Sequence, residues 1–459
     1  MPDFPLNEIG RAVVGRWTAP PPTSASEVVT DSREARPGAL FVALRGERFD
    51  GHDYLPQAAA AGALAAVVER VPPGATLPLL VVPDALRAYQ AIARWHRERF
   101  AIPVVGVTGS VGKTSTREMV ACALGALGDA LQSEKNHNNE VGVPRTLLRL
   151  RPEHRAAVVE MGMRGRGQIA DLAAVARPDV AVITNIGLSH IELLGSRDAI
   201  AAAKAELLEA LPPGGTAVLP ADDAVAPWLA GRARCRVVTF GVKHDAHFRA
   251  EAVRFGPDGA PEFVIGGVPF RVAAPGAHHV VNAAAAAAAA CALGVPLSEV
   301  AARIEAFRPP AMRMSALEAL RGVLVLDDTY NAAPDSVRSA LETLAMLACA
   351  QGRRAVAFLG AMRELGEHAP EAHRWVGALA ARSGAALVVA VGPGAEPIAA
   401  EAAAGSAEAL WLPDSATAAA RSAGLVRPGD VVLVKGSRAI EMERVVEALT
   451  GAGAGEPGA

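Results

Sequence analysis

The sequence is short of cysteine. Its four cysteines, Cys122, Cys235, Cys291 and Cys349, lie far apart with no C-x-x-C pair. That spacing argues against a zinc knuckle or a disulfide framework and makes a reducing cytoplasm the simplest home. An excess of one charge is also missing. The formal net charge is −3, so no basic field marks the surface for nucleic acid or an anionic membrane. Long apolar runs are absent too. The longest, Ala283 to Leu293, falls well short of the roughly 20 residues that span a bilayer, and its alanines read as a buried helix. Met1 to Pro5 carry neither a basic nor an apolar leader region, so no secretory signal is expected. No repeat of solenoid length is seen, and the Gly/Ala/Pro tail after Thr450 is expected to be disordered. These absences leave a soluble, cytoplasmic protein with small polar partners, no nucleic acid and no integral membrane contact.

What is present is length and alternation. At roughly 150 residues per domain, 459 residues suggest three domains. Short Val/Ile/Leu runs read as strands, Ala-rich stretches as helices and Pro/Gly clusters as breaks. The first block, 1–102, mixes strands such as Leu40 to Leu44 and Ala65 to Val68 with turns, and closes on a helix over Ala85 to Arg99. A second block, 103–310, opens with the strand Val104 to Val107 and continues through Ala157 to Glu160 and Val180 to Ile183. Helical stretches separate these runs, which predicts a parallel sheet covered on both faces. Pro309-Pro310 reads as a linker, since paired prolines fit neither a helix interior nor a central strand. In the third block, 311–459, buried strands at Val323 to Leu326, Ala355 to Phe358, Leu387 to Ala390 and Val431 to Val434 predict a second doubly wound sheet.

The segment Gly109-Ser110-Val111-Gly112-Lys113-Thr114-Ser115 follows an apolar strand and precedes a helix expected over Glu118 to Leu127. That context suits a phosphate-binding loop of an ATP-using enzyme, with backbone amides facing the phosphates, Lys113 neutralising them and the Thr114 hydroxyl on Mg²⁺. The spacing departs from G-x-x-x-x-G-K-[ST], because Val107 stands five residues before Gly112. Glu160, at a strand end, reads either as a Mg²⁺ ligand or as a solvated glutamate. His190, past the next strand, reads either as a ligand or as a structural hydrogen bonder. Taken alone, the run Lys135 to Pro144, with Asn136, Asn138 and Asn139, favours a turn. Lys204, within Ala201 to Glu206, reads as a solvated helix residue.

Together these pieces resemble the Mur ligase family. Thr108 to Ser115, Glu160-Met161-Gly162, Thr184 to Gly187 with His190, and Ala203 to Glu206 are similar to its central ATPase domain. Asp31-Ser32-Arg33, Leu40 to Gly46 and Asp50-Gly51-His52 are similar to its UDP-binding domain. Within the family, Lys135 to Pro144 and Asp327 to Ser336 resemble the branch that joins D-alanyl-D-alanine to UDP-N-acetylmuramoyl-tripeptide.

The resemblance implies an α/β chain of three domains: a small UDP-binding domain, a central phosphate-loop ATPase with a parallel sheet, and a C-terminal Rossmann-like domain. It implies an ADP-forming ligase of peptidoglycan precursor synthesis that uses ATP and Mg²⁺ and passes through an acyl phosphate. By the family pattern Lys113, Glu160, His190 and Lys204 are catalytic. Thr114, Glu160, His190 and a carbamylated Lys204 form the metal shell, and the loop with Asn282, Arg313 and Asp328 binds nucleotide. Ser32, Arg33, Gly46, Asn136, Asn138, Asn139, Asn185, Tyr330 and Asn331 face the substrates. Two positions depart from the pattern, Ala361 where Asp is usual and Ala333 where Asn is usual, so polar groups are lost from C-terminal loops. A different Mur-type ligase that adds a diamino acid, a folate-polyglutamate ligase and a non-catalytic ATP-binding module are the other readings. The segment Asp327 to Asn331 speaks against the first two. The joint retention of Lys113, Thr114, Glu160, His190 and Lys204 speaks against the third.

Overall fold

The computed structural model describes residues 3–451, and the tail for which the sequence predicts disorder lies outside the described residues apart from Gly451. The architecture is α/β, with three main sheets of five, nine and six strands following one another along the chain. Among the described residues, no helix is long and apolar enough to cross a membrane.

In the first sheet the strands Glu27–Val29, Ala39–Val42, Ala65–Val68 and Leu79–Val81 run parallel, and Arg16–Trp17 closes the edge antiparallel. The helix Ala85–Glu98 turns one face to this core and the other to the next domain. There, buried His96 bonds the carbonyl of Leu150 at 3.0 Å, and Arg97 donates to the carbonyl of Ala176 at 3.2 Å.

The strand that opens the central sheet, Val104–Thr108, is buried along its whole length, as strands covered on both faces must be. It lies between His154–Glu160 and Val180–Ile183, both parallel to it. The chain therefore reverses its winding direction at this strand, and three loops meet at its carboxyl end, where α/β sheets bind ligands. On one side the sheet ends at Asp129–Gln132; on the other it continues through Thr216–Pro220 and Arg236–Gly241. The parallel sheet expected from the apolar runs is present, and beyond it the sequence reading missed an addition. Phe248–Phe255, Pro261–Ile265 and Val268–Arg271 form an antiparallel extension, whose charged and half-exposed residues hide it from a search for apolar runs.

The helix His278–Ala292 packs on this sheet and on the phosphate-loop helix. Ala283 to Ala290 are all buried, because methyl side chains let the helix lie close to both neighbours. In the C-terminal sheet Leu324–Asp328, Val431–Lys435, Ala355–Gly360, Leu387–Val391 and Glu408–Leu412 are parallel neighbours in that order, edged by antiparallel Ser315–Glu318.

Candidate active site

The phosphate-loop helix spans Lys113–Leu124, so it begins five residues before the expected Glu118. Lys113 and Thr114 thus stand in its first turn, where free amide N–H groups attract anions. Gly112, at φ 81°, caps the helix, and Gly109 lies at φ 152°. A Cβ at Gly109 would fall 1.8 Å from Thr184 Oγ1, so the loop passes the next strand end at a distance only glycine allows.

Asn185 holds the loop's shape. Its Oδ1 accepts from the amides of Ser110 at 3.2 Å and Val111 at 3.0 Å, while Thr184 Oγ1 donates to the carbonyl of Val111 at 2.6 Å. Ser110 Oγ accepts from the amide of Gly187 at 2.8 Å. The Lys113 ammonium folds back onto the carbonyl of Gly109 at 2.7 Å. Burial pushes its pKa below the ordinary lysine value, against the opposing pull of Glu160.

Glu160 is buried and fully engaged, which removes its reading as a solvated strand end. Oε2 accepts from Thr114 Oγ1 at 2.9 Å and Oε1 from Asn138 Nδ2 at 2.8 Å. Lys204, on the helix Arg197–Glu209, is 1% exposed, so its reading as a surface lysine is also overturned. Burial first, and then the charge of Lys113, push its pKa far below the ordinary value. Asn282 joins the loop from the alanine-rich helix, where its Oδ1 accepts from Thr116 Oγ1 at 3.3 Å and its Nδ2 is buried without a partner.

From the C-terminal domain come Asp328, Tyr330 and Arg313. Arg313 stacks its guanidinium 3.7 Å from the centre of the Tyr330 ring. Asp328 accepts from Lys435 Nζ at 2.6 Å, because the two residues are register partners at the ends of adjacent parallel strands. The same ammonium donates to the carbonyl of Asn331 at 2.8 Å. Sequence reasoning missed Lys435; a lone charge closing the apolar strand Val431 to Val434 was the signal. Sequence reasoning gave Glu364 no role either; its Oε2 lies 2.8 Å from His190 Nδ1, an ion-pair distance without the alignment of a hydrogen bond. That histidine holds the Glu364 carboxyl below its ordinary pKa.

The remaining expected residues make local contacts of their own. Asn139 Oδ1 accepts from the amide of Gly142 at 2.9 Å and so serves its own turn, while Asn136 is exposed and its carbonyl accepts from the amide of Asn138 at 2.7 Å. Ser32 and Gly46 occupy loops just past the ends of the neighbouring parallel strands Glu27–Val29 and Ala39–Val42. Ser32 donates to Gln57 at 2.9 Å, and exposed Arg33 pairs with Asp31. Ala361 is buried, with its N–H given to the carbonyl of Val391. Ala333 precedes the helix Pro334–Gln351 without a capping side chain, and Ser336 Oγ takes over by accepting its N–H at 3.0 Å.

Residues 25–97, 107–290 and 312–438 match, in turn, the Mur ligase family catalytic domain, the Mur ligase middle domain and the Mur ligase glutamate ligase domain. The chain belongs to the Mur ligase family. Among relatives of this Mur ligase, the UDP-N-acetylmuramoyl-tripeptide–D-alanyl-D-alanine ligases of Synechocystis and Escherichia coli are 40% and 37% identical to it. Each alignment covers 92% of this chain, and 92% and 93% of the relative. The crystal structure of MurF from Acinetobacter baumannii superposes with a TM-score of 0.91 at 32% identity, over 98% of this chain and 99% of that one. MurF of Thermotoga maritima in complex with ADP gives 0.82 at 29% identity, over 93% and 97%.

Proposed function

We propose that this Mur ligase joins D-alanyl-D-alanine to UDP-N-acetylmuramoyl-tripeptide at the expense of ATP, in the cytoplasm, as a step of peptidoglycan precursor synthesis. One observation carries the reading: relatives bearing that activity in their names align along more than nine-tenths of this chain, and the middle-domain match spans the phosphate loop, Glu160 and Lys204.

The chemistry follows from what a carboxylate lacks. It is a poor acyl donor, so the terminal carboxylate of the tripeptide attacks the γ-phosphorus of ATP, ADP leaves, and an acyl phosphate forms. The amine of D-alanyl-D-alanine then attacks the acyl carbon, phosphate departs and the amine gives up a proton. In this scheme the loop amides and Lys113 hold the transferring phosphoryl group and stabilise its charge. Asn282 and Arg313 meet the nucleotide, and Lys435 orients Asp328 towards it. Ser32, Arg33 and Gly46 take the UDP end. Asn136, Asn138, Asn139, Asn185, Tyr330 and Asn331 line the path of the peptide.

The donor set fits Mg²⁺. Thr114 and Glu160 place hard oxygens side by side, and this ion keeps much of its shell as water and phosphate oxygen. No three His, Cys, Asp or Glu side chains converge among the described residues, so a second ion needs a donor beyond His190. A carbamate on Lys204 supplies it, and the burial of this lysine, which favours the neutral amine that carbamylation requires, supports that modification. When bound, Mg²⁺ neutralises charge on the phosphates. The test is mass spectrometry of the reaction: a UDP-linked pentapeptide supports the proposal, and its absence with active, folded protein refutes it.

A further inference from the structure

His190 and Glu364 meet across the seam between the central and C-terminal domains. His190 follows the strand Val180–Ile183 and precedes the helix Ile191–Leu194, while Glu364 follows the strand Ala355–Gly360. Both adopt the left-handed backbone conformation, at φ 67° and 62°, which side chains other than glycine seldom do. Such conformations persist only where the surroundings impose them, and they gather at functional sites.

The surroundings here are specific. On the central side, Ser189 Oγ donates to the carbonyl of Ser110, tying the residue before His190 to the phosphate loop at 3.3 Å. On the other side, the amide of Arg363 donates to Ser437 Oγ at 2.9 Å and the amide of Met362 to His373 Nε2 at 2.8 Å, which fixes the turn that carries Glu364. Glu192, two residues past His190, packs on Gly366. Two short side chains are thus brought together by two constrained turns.

A carboxylate against one imidazole nitrogen decides what the other can do. It favours the tautomer that keeps the proton on Nδ1, which leaves Nε2 with its lone pair and biases the ring's orientation. We infer that Glu364 is a positioning residue for His190, lent by the C-terminal domain, so that the metal shell of the central domain is complete only when the two domains are joined. The inference rests on the ligase reading above and adds to it a route by which domain closure governs metal binding.

The probe is Mn²⁺, followed by electron paramagnetic resonance on the full chain with a non-hydrolysable ATP analogue and UDP-tripeptide. Glu364→Gln, which keeps shape and removes charge, should weaken Mn²⁺ binding by roughly tenfold or more, as loss of such partners commonly does. His190→Ala should weaken it as well, and the double variant no further than His190→Ala alone. Melting temperature and affinity for ADP alone should stay at wild-type values in Glu364→Gln. In turnover, excess Mg²⁺ should recover much of the lost kcat, with KM for D-alanyl-D-alanine unchanged. Glu364→Ala serves as a second variant with the same expectation. Mn²⁺ binding by Glu364→Gln as tight as wild type, or tighter, overturns the inference while the ligase reading stands. A wild-type protein that makes no pentapeptide overturns both.

Discussion

Thr114 Oγ1 donates to Glu160 Oε2 at 2.9 Å, joining the first turn of the phosphate-loop helix to the end of the neighbouring strand. The pair exists because Val104–Thr108 and His154–Glu160 are adjacent parallel strands whose carboxyl ends meet. Glu160→Gln keeps the shape and an acceptor for Thr114, but it turns an amide N–H₂ towards Asn138 and removes the negative charge near buried Arg117. We expect kcat to fall by about a hundredfold or more in a protein that still folds, with some loss of melting temperature. Steady-state rates at saturating ATP check this, and a variant as fast as wild type counts against the role of Glu160.

Lys113→Ala should cost more. It deletes the cation facing the transferring phosphate, and turnover should drop on the order of a thousandfold. Near-normal turnover in the folded variant would show that the loop does not bind phosphate.

Gly109→Ala tests the loop's path. The new methyl group would sit 1.8 Å from Thr184 Oγ1 in a backbone conformation at φ 152°. The strain, on the order of 1–3 kcal/mol, should weaken ADP binding by tenfold or more in calorimetry. Adding Thr184→Ala removes the oxygen in conflict and should restore part of the affinity. No difference between the single and double variants would place the conflict elsewhere.

Lys204 should work as a carbamate. Lys204→Ala should lose most activity and regain part of it with added short carboxylates, which can occupy the vacated space with oxygen donors. Lys204→Arg should not be rescued, because its permanent cation remains. Equal rescue of both variants would contradict a carbamate.

Stability should fall on mild acidification. His96, wedged between Phe4 and Phe100 and bonded to the carbonyl of Leu150, is pushed by burial from 6.5 to about 4. The unfolded chain takes up this proton near the ordinary value, while the folded chain resists it until about 4. Stability from neutral His96 is thus complete above 6.5 and drains as pH falls towards 4, by up to about 3 kcal/mol. Denaturant unfolding at several pH values should show this slope in the wild type and a shallower one in His96→Phe. Equal slopes would assign the effect to other groups.

Much of this was legible in the sequence, for physical reasons that also set the limits. Strands buried on both faces are continuous apolar runs, so Val180 to Ile183 and Ala65 to Val68 were found with their ends in place. The antiparallel strands from Phe248 to Arg271 are only half covered, alternate with charges and leave no such run. The phosphate loop showed itself through glycines that its backbone requires. Lys204 did not, because its burial comes from the packing of a whole helix against the sheet, and six residues of local sequence cannot state that. Lys435 and Glu364 act on partners far away in the chain, and only strand register and domain contact bring those pairs together.

The central claim is that ATP cleavage is coupled to ligation, and one phosphate-release assay tests it most directly. The purified chain with ATP and Mg²⁺ is given UDP-N-acetylmuramoyl-tripeptide, D-alanyl-D-alanine, both, or neither. Sustained phosphate release only when both are present, with one phosphate for each dipeptide joined, is the predicted result. Steady release that ignores either substrate would contradict it.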